Sequence, residues 1–131
     1  MKRCMIVDDS AVIRKVAKRI LNSDMLRILE AGSGGAALAE CRADMPDYLI
    51  LDATLPDMKT LEFLTALKAI QAQRQPLVFL MAIELDLGPI MRAKRAGAAG
   101  FLLKPFDRQS LTTAFNEQVA RAERARTQAA A

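Results

Sequence analysis

Short apolar runs alternate with stretches of helical periodicity along the whole chain. Residues 3–7 (Arg3-Cys4-Met5-Ile6-Val7) predict a first strand, closed by Asp8 and Asp9. Ser10 is placed to cap a helix, because Ile13, Val16, Ala17, Ile20 and Leu21 then recur on one helical face. Asn22-Ser23-Asp24 breaks that helix. Residues 25–30 predict a short second strand, and Gly32-Ser33-Gly34-Gly35 turns into an alanine-rich helix near residues 36–43. Pro46-Asp47 introduces a third strand over residues 48–51, apolar on both faces and therefore expected at the centre of a sheet.

The second half repeats the alternation. Thr60 can cap a helix over residues 61–73, with Leu61, Leu64, Leu67 and Ile70 facing inward. Pro76 opens a fourth strand at 77–81, and a short helix follows near 89–96, with Pro89 acceptable in its first turn. Gly97 and Gly100 flank the turn into a fifth strand, 101–103. A last helix is expected from 107 to 124, with Leu111, Ala114, Phe115, Val119 and Ala122 as its apolar stripe. Residues 127–131 have nothing to bury and are expected to fray beyond a single domain of residues 1–126. Five strands alternating with five helices, joined by right-handed crossovers, favour an α/β doubly wound parallel sheet in the order 2-1-3-4-5. That order sets strands one and three side by side at the switch point.

Composition narrows the chemistry. At 131 residues the chain is long enough for one domain with a real core, and 52% hydrophobic with 26% charged is ordinary for a soluble protein. No apolar run approaches the ~20 residues of a membrane helix, and the N-terminus lacks a signal-peptide pattern, so no membrane partner is expected. There is no histidine, which excludes histidine-based triads, acid–base pairs and zinc sites. Cys4 and Cys41 have no metal-ligand spacing and read as buried free thiols of a reducing cytoplasm. The net charge of +4 falls in helical runs (Arg14-Lys15…Lys18-Arg19, Arg92…Lys94-Arg95, Arg121…Arg124…Arg126), which read as solvated faces. Without aromatic interleaving, a helix-turn-helix or a zinc finger, direct nucleic-acid binding is disfavoured.

The candidate site lies at the carboxyl ends of three strands: Asp8 and Asp9, Asp52, and Lys104 with Pro105 after it. Ligands of open parallel sheets bind in that crevice. Three carboxylates gathered there repel one another unless a cation offsets them, and a hard oxygen-seeking ion such as Mg²⁺ suits the task. With Lys104 adding a second positive charge, the arrangement suits an incoming phosphoryl group, with one aspartate as nucleophile.

These residues resemble the receiver domain of bacterial two-component response regulators, over residues 2–120. The resemblance is carried by Val7-Asp8-Asp9-Ser10, by Leu51-Asp52-Ala53-Thr54-Leu55-Pro56 and by residues 96–106, which include Gly100-Phe101-Leu102-Leu103-Lys104-Pro105. It implies a flavodoxin-like fold and a stand-alone signalling switch rather than an enzyme. By it, Asp52 accepts a phosphoryl group from the phosphohistidine of a histidine kinase or phosphotransfer protein. Asp8, Asp9, Asp52 and the backbone carbonyl of Thr54 hold Mg²⁺, and Lys104 contacts a phosphoryl oxygen across a cis bond to Pro105. Arg92, Lys94 and Arg95, grouped around Phe101, form the face for a downstream protein with an acidic segment.

Three departures from the family pattern bear on switching. The Thr or Ser that ends strand four, 22 residues before the lysine, is Ala82 here, so its hydroxyl is missing. The small residue that follows is Ile83, expected to narrow access to Asp52. Lys59-Thr60 replaces the usual Asp-Gly, and Phe101 keeps a ring at the aromatic switch position without a tyrosine hydroxyl. Ala82 and Ile83 support an alternative, a degenerate receiver that binds a partner regardless of phosphorylation. In that reading Arg121, Arg124 and Arg126 meet an acidic protein or a cyclic dinucleotide. An aspartate-nucleophile phosphatase of the haloacid dehalogenase type fits poorly, because Thr54 cannot serve as the acid/base two residues after the nucleophile.

Overall fold

The strands associate in the order β2-β1-β3-β4-β5, and every neighbouring pair is parallel. The computed structural model describes residues 1–84 and 86–130. Among these, five strands alternate with five helices: β1 (Lys2–Val7), α1 (Ala11–Leu21), β2 (Leu26–Ala31), α2 (Gly34–Ala43), β3 (Tyr48–Asp52), α3 (Thr60–Ala69), β4 (Leu77–Ala82), α4 (Leu87–Arg95), β5 (Gly100–Leu103) and α5 (Arg108–Ala130). The expected order and alternation are both present. β3 is buried at all five positions, as an apolar strand flanked on both sides must be.

The sheet separates two core layers. On one face Met5, Val7, Leu49, Leu51, Phe63, Leu64 and Leu67 pack beneath α2, α3 and α4. On the other, Cys4, Ile6, Ile50, Phe79, Leu111 and Phe115 pack beneath α1 and α5, with Tyr48, Phe79 and Phe115 tilted or edge-on at 6.0–6.5 Å. Alternate residues of one strand thus feed opposite layers, the period-2 pattern of a strand covered on both sides.

Several local expectations need correction. Thr60 does not cap α3; it is the first helical residue, and its hydroxyl donates to the Ala53 carbonyl at 3.2 Å. Lys59 takes the cap position instead, and its N–H donates to Glu62 Oε1 at 3.3 Å. α3 stops at Ala69, short of residue 73, because Ile70 turns extended. Leu61, expected inward, is 44% exposed, and Phe63 takes the buried place. Val16 likewise lies on the exposed side of α1. α5 continues to Ala130, so residues 127–130 are helical where a frayed tail was expected. At 23 residues α5 spans about 35 Å and overhangs the sheet. Its C-terminal half is tied back by Arg126, whose guanidinium donates to the Gln75 carbonyl at 2.9 Å, and by the Arg74–Glu123 pair at 3.4 Å. Ala131 lies outside the described residues.

Candidate functional site

β1, β3 and β5 end at the same edge of the sheet, and their terminal side chains converge. The register pairs Val7 with Leu51, so Asp8, one residue beyond, stands beside Asp52. Carboxylate oxygens of Asp8, Asp9 and Asp52 all lie within 4.8 Å of one another. Asp8 is 2% exposed and Asp52 5%, while Asp9 faces solvent. β5 lies across β4 from β3, yet Lys104 spans the gap. Its backbone N–H bonds the Ala82 carbonyl at 2.9 Å, continuing the β4–β5 ladder, and its ammonium reaches Asp8 Oδ2 at 2.9 Å and Asp52 Oδ1 at 3.4 Å. The Lys104–Pro105 bond is cis, as expected.

Burial penalises the Lys104 charge, but the hydrogen bond to Asp8 and the fields of Asp52 and Asp8 outweigh it, holding the ammonium above its ordinary pKa. Three carboxylates against one ammonium leave a formal charge of 3 − 1 = 2 negative units in the cluster. That remainder matches a divalent cation, and an all-oxygen, partly buried donor set with one open side fits Mg²⁺.

The acidic end is braced from behind. Ser10 donates its N–H to Asp8 Oδ1 at 2.9 Å and accepts from the Ile13 N–H, so the residue that caps α1 also orients a carboxylate. Arg14 does not lie on a solvated face: its guanidinium donates to the Asp8 carbonyl oxygen at 2.7 Å and to Glu30 Oε1 at 3.1 Å. Glu30 also binds Lys15 at 2.8 Å, and that bond above all holds its carboxyl below the usual range, with Arg14 adding to it against a desolvation penalty. The basic run of α1 concealed this pairing, since Glu30 lies 16 residues away and only the sheet brings it near.

After Asp52 the chain forms a short loop. Thr54 places both its N–H and its hydroxyl 3.2 Å from Asp52 Oδ1. Asp57 accepts the N–H groups of Gly35 and Gly34, each at 3.0 Å, and these bonds depress its pKa. Met58 covers Gly34 so closely that a Cβ there would lie 2.7 Å from its Cγ and would displace the Met58 side chain. Neither contact had a signal in the sequence beyond the paired glycines.

On the β4 side the picture differs. Ala82 offers a methyl group beside Asp52, and Ile83 stands 74% exposed on the rim of a cleft of about 660 Å³. That cleft reaches Asp52 and Lys104 and is walled by Leu80, Pro89, Ile90, Ala93 and Phe101. Phe101 is half-buried and also borders a second hollow of about 430 Å³ towards Phe106 and Leu111. Arg92 lines the first cleft, whereas Lys94 and Arg95 are exposed on α4 outside it. Gln118 of α5 reaches over the edge strand to accept the Phe101 N–H at 3.4 Å, and a Cβ on Gly100 would collide with it.

A doubly wound sheet in this order, with an acidic cluster and a lysine at the switch point, defines the class of protein. The family model of the response regulator receiver domain matches residues 4–116, so the chain belongs to that family. It is 30% identical over 116 residues to the chemotaxis protein CheY of Bacillus subtilis, covering 88% of this chain and 95% of that protein. It is likewise 30% identical over 106 residues to sporulation initiation phosphotransferase F of the same organism, covering 81% and 84%. Among solved structures, the chemotaxis response regulator CheY4 of Vibrio cholerae superposes with a TM-score of 0.80 at 27% identity, covering 90% of this chain and 98% of that one. Receiver domains are signalling modules that meet histidine kinases or phosphotransferases and downstream targets. Among the described residues no helix is long and apolar enough to cross a membrane.

Proposed function

We propose that this receiver accepts a phosphoryl group on Asp52 and signals by binding another protein. The observation that carries the reading is the convergence of Asp8, Asp9 and Asp52 with Lys104, at 2.9 Å and 3.4 Å, inside this family's fold. Asp52 attacks the phosphorus of a partner's phosphohistidine in line. A new bond forms from the carboxylate oxygen to phosphorus, the phosphorus–nitrogen bond breaks, and its electron pair returns to the imidazole, which takes up a proton. Lys104, already 3.4 Å from the attacking carboxylate, follows the charge outward onto a phosphoryl oxygen. Asp8 and Asp9, with Asp52 and the Thr54 carbonyl, would hold Mg²⁺, which supplies Lewis-acid stabilisation of the transferring group. Ser10 and Arg14 keep Asp8 in place meanwhile.

Switching in this protein is read as loosely coupled to phosphorylation on the β4–α4 side. Ala82 can give the phosphoryl group no hydrogen bond there, so Phe101 receives no pull from it. The partner face is read as α4, β5 and α5, with Arg92 in the cleft beside Phe101 and Lys94 and Arg95 exposed on α4 outside it, complementary to an acidic segment. The buried free thiols of Cys4 and Cys41 suit a reducing, cytoplasmic setting. The decisive experiment treats the purified protein with Mg²⁺ and a small-molecule phosphodonor and follows intact mass. A single phosphoryl addition in the wild type, absent in Asp52→Asn, is expected. No addition, or an addition that survives Asp52→Asn, would leave the degenerate binding module as the better reading.

A further inference from the structure

Ala82 leaves one side of Asp52 without a hydroxyl, and Thr54 supplies one on the other. The Thr54 hydroxyl and N–H both lie 3.2 Å from Asp52 Oδ1, the oxygen that Lys104 reaches at 3.4 Å. The residue is exposed, and because its N–H and hydroxyl share one acceptor, backbone and side chain lose that acceptor together. The loop it belongs to is fastened at both ends. Thr60 ties the start of α3 to the Ala53 carbonyl at 3.2 Å, and Asp57 clips the loop to the Gly34 and Gly35 amides at the start of α2. Met58 sits directly on Gly34. Residues 53–60 therefore form a short lever between the phosphoacceptor and α2.

We propose that Thr54, not residue 82, makes the hydroxyl contact to the phosphoryl group on Asp52, and that phosphorylation is read out at the start of α2 through the Asp57 clip. This rests on Asp52 being the phosphoacceptor. Before phosphorylation the hydroxyl donates to a charged carboxylate oxygen. Afterwards the bridging acyl-phosphate oxygen is a poor acceptor and the charge has moved two bonds further out, onto the phosphoryl oxygens. A donor follows the charge, because hydrogen bonds to ionised acceptors are about twice as strong as neutral ones. Thr54 moves with it, and the loop cannot shift without straining the two Asp57 hydrogen bonds. The contact differs between the two states, which is what a switch requires. The surface it changes lies on the α2–α3 side, away from α4.

The test uses ¹⁵N-labelled full-length protein with Mg²⁺ and beryllofluoride, a phosphoryl mimic, reading the amide resonances of Gly34 and Gly35 with and without it. In the wild type both amides should shift. Thr54→Val keeps the backbone carbonyl but loses the hydroxyl, so it should need more beryllofluoride to saturate and, once saturated, lose most of that shift, and Thr54→Ser should restore both. Asp57→Ala should also bind and lose the shift, since it cuts the lever at its far end. Beryllofluoride binding with Gly34 and Gly35 unmoved, or moved equally in Thr54→Val, overturns the proposal alone. Absence of beryllofluoride binding in the wild type, as in Asp52→Asn, overturns it together with the phosphoacceptor reading.

Discussion

Two sides of Asp52 are built to different standards. Towards β1 and β5 the buried polar groups are partnered: Asp8 is held by Ser10, Arg14 and Lys104, and Arg14 is anchored in turn by Glu30. Towards β4 there is a methyl group at Ala82, an exposed Ile83 and an open, largely apolar cleft up to Phe101. In the proposed function, binding the phosphoryl group uses the first side, whereas transmitting its arrival to α4 and β5 would use the second. The difference teaches that receiving a signal and relaying it are separable properties of one fold. On the proposed reading this chain has the groups for the first and lacks the hydroxyl for the second at Ala82.

The largest effect expected comes from dismantling the well-built side. Asp9→Asn removes a full charge from a cluster whose formal excess is only two negative units. Loss of an outer partner of a metal site weakens binding ~10–100-fold, so losing the Asp9 carboxylate, which holds Mg²⁺ directly or through water in the proposed site, should weaken Mg²⁺ binding on that order. Calorimetric titration or Mg²⁺-dependent NMR shifts would measure it. Equal affinities in wild type and variant would take Asp9 out of the metal site.

A smaller effect, of opposite sign, is expected from repairing the other side. Ala82→Thr adds one hydrogen bond to a charged acceptor, worth ~1.5–3 kcal/mol. Moving a two-state equilibrium from 1:99 to 99:1 takes roughly 5.5 kcal/mol, so the repair supplies a large part of what full switching requires. Beryllofluoride should therefore shift the resonances of Phe101 more in Ala82→Thr than in the wild type, with the Gly34 and Gly35 shifts little changed. A wild-type Phe101 that already moves fully, unaffected by the substitution, would erase the contrast between the two sides.

The sequence carried most of the fold because its two periodicities are clear: residues 48–51 of β3 are apolar at every position, and the α1 and α5 faces repeat at helical spacing. It carried the acidic cluster and Lys104 because each ends an apolar run, where a charge has few other uses. It misjudged α3, since Leu61 and Phe63 compete for the inward position and only packing chooses between them. It gave no sign of Arg14–Glu30 or of Asp57–Gly34–Gly35, because each joins residues 16 to 23 positions apart whose proximity exists only once strands have paired. The altered β4 side was legible only as a departure from a family pattern, since an alanine and an isoleucine are unremarkable in themselves.

The smallest expected effect concerns the brace behind the cluster, and it appears as a pH dependence. The Glu30 carboxyl is held below its ordinary pKa of about 4.3, first by the hydrogen bond from Lys15 and then by Arg14. A carboxyl that is more acidic folded than unfolded contributes stability above its unfolded pKa and loses it as pH falls through its folded one. Wild-type stability should therefore decline through the acidic range, below about pH 4, more steeply than that of Glu30→Gln, which has no proton to take up there. At neutral pH the substitution should cost on the order of 1 kcal/mol, because Arg14 and Glu30 are largely shielded from solvent while Lys15 is mostly exposed and Arg14 keeps its bond to the Asp8 carbonyl. Denaturant titrations of both proteins at pH 7 and at pH 3 measure the difference. Parallel declines would show that Glu30 merely decorates the surface of β2, and the brace would then reduce to Arg14 and Ser10 acting on Asp8.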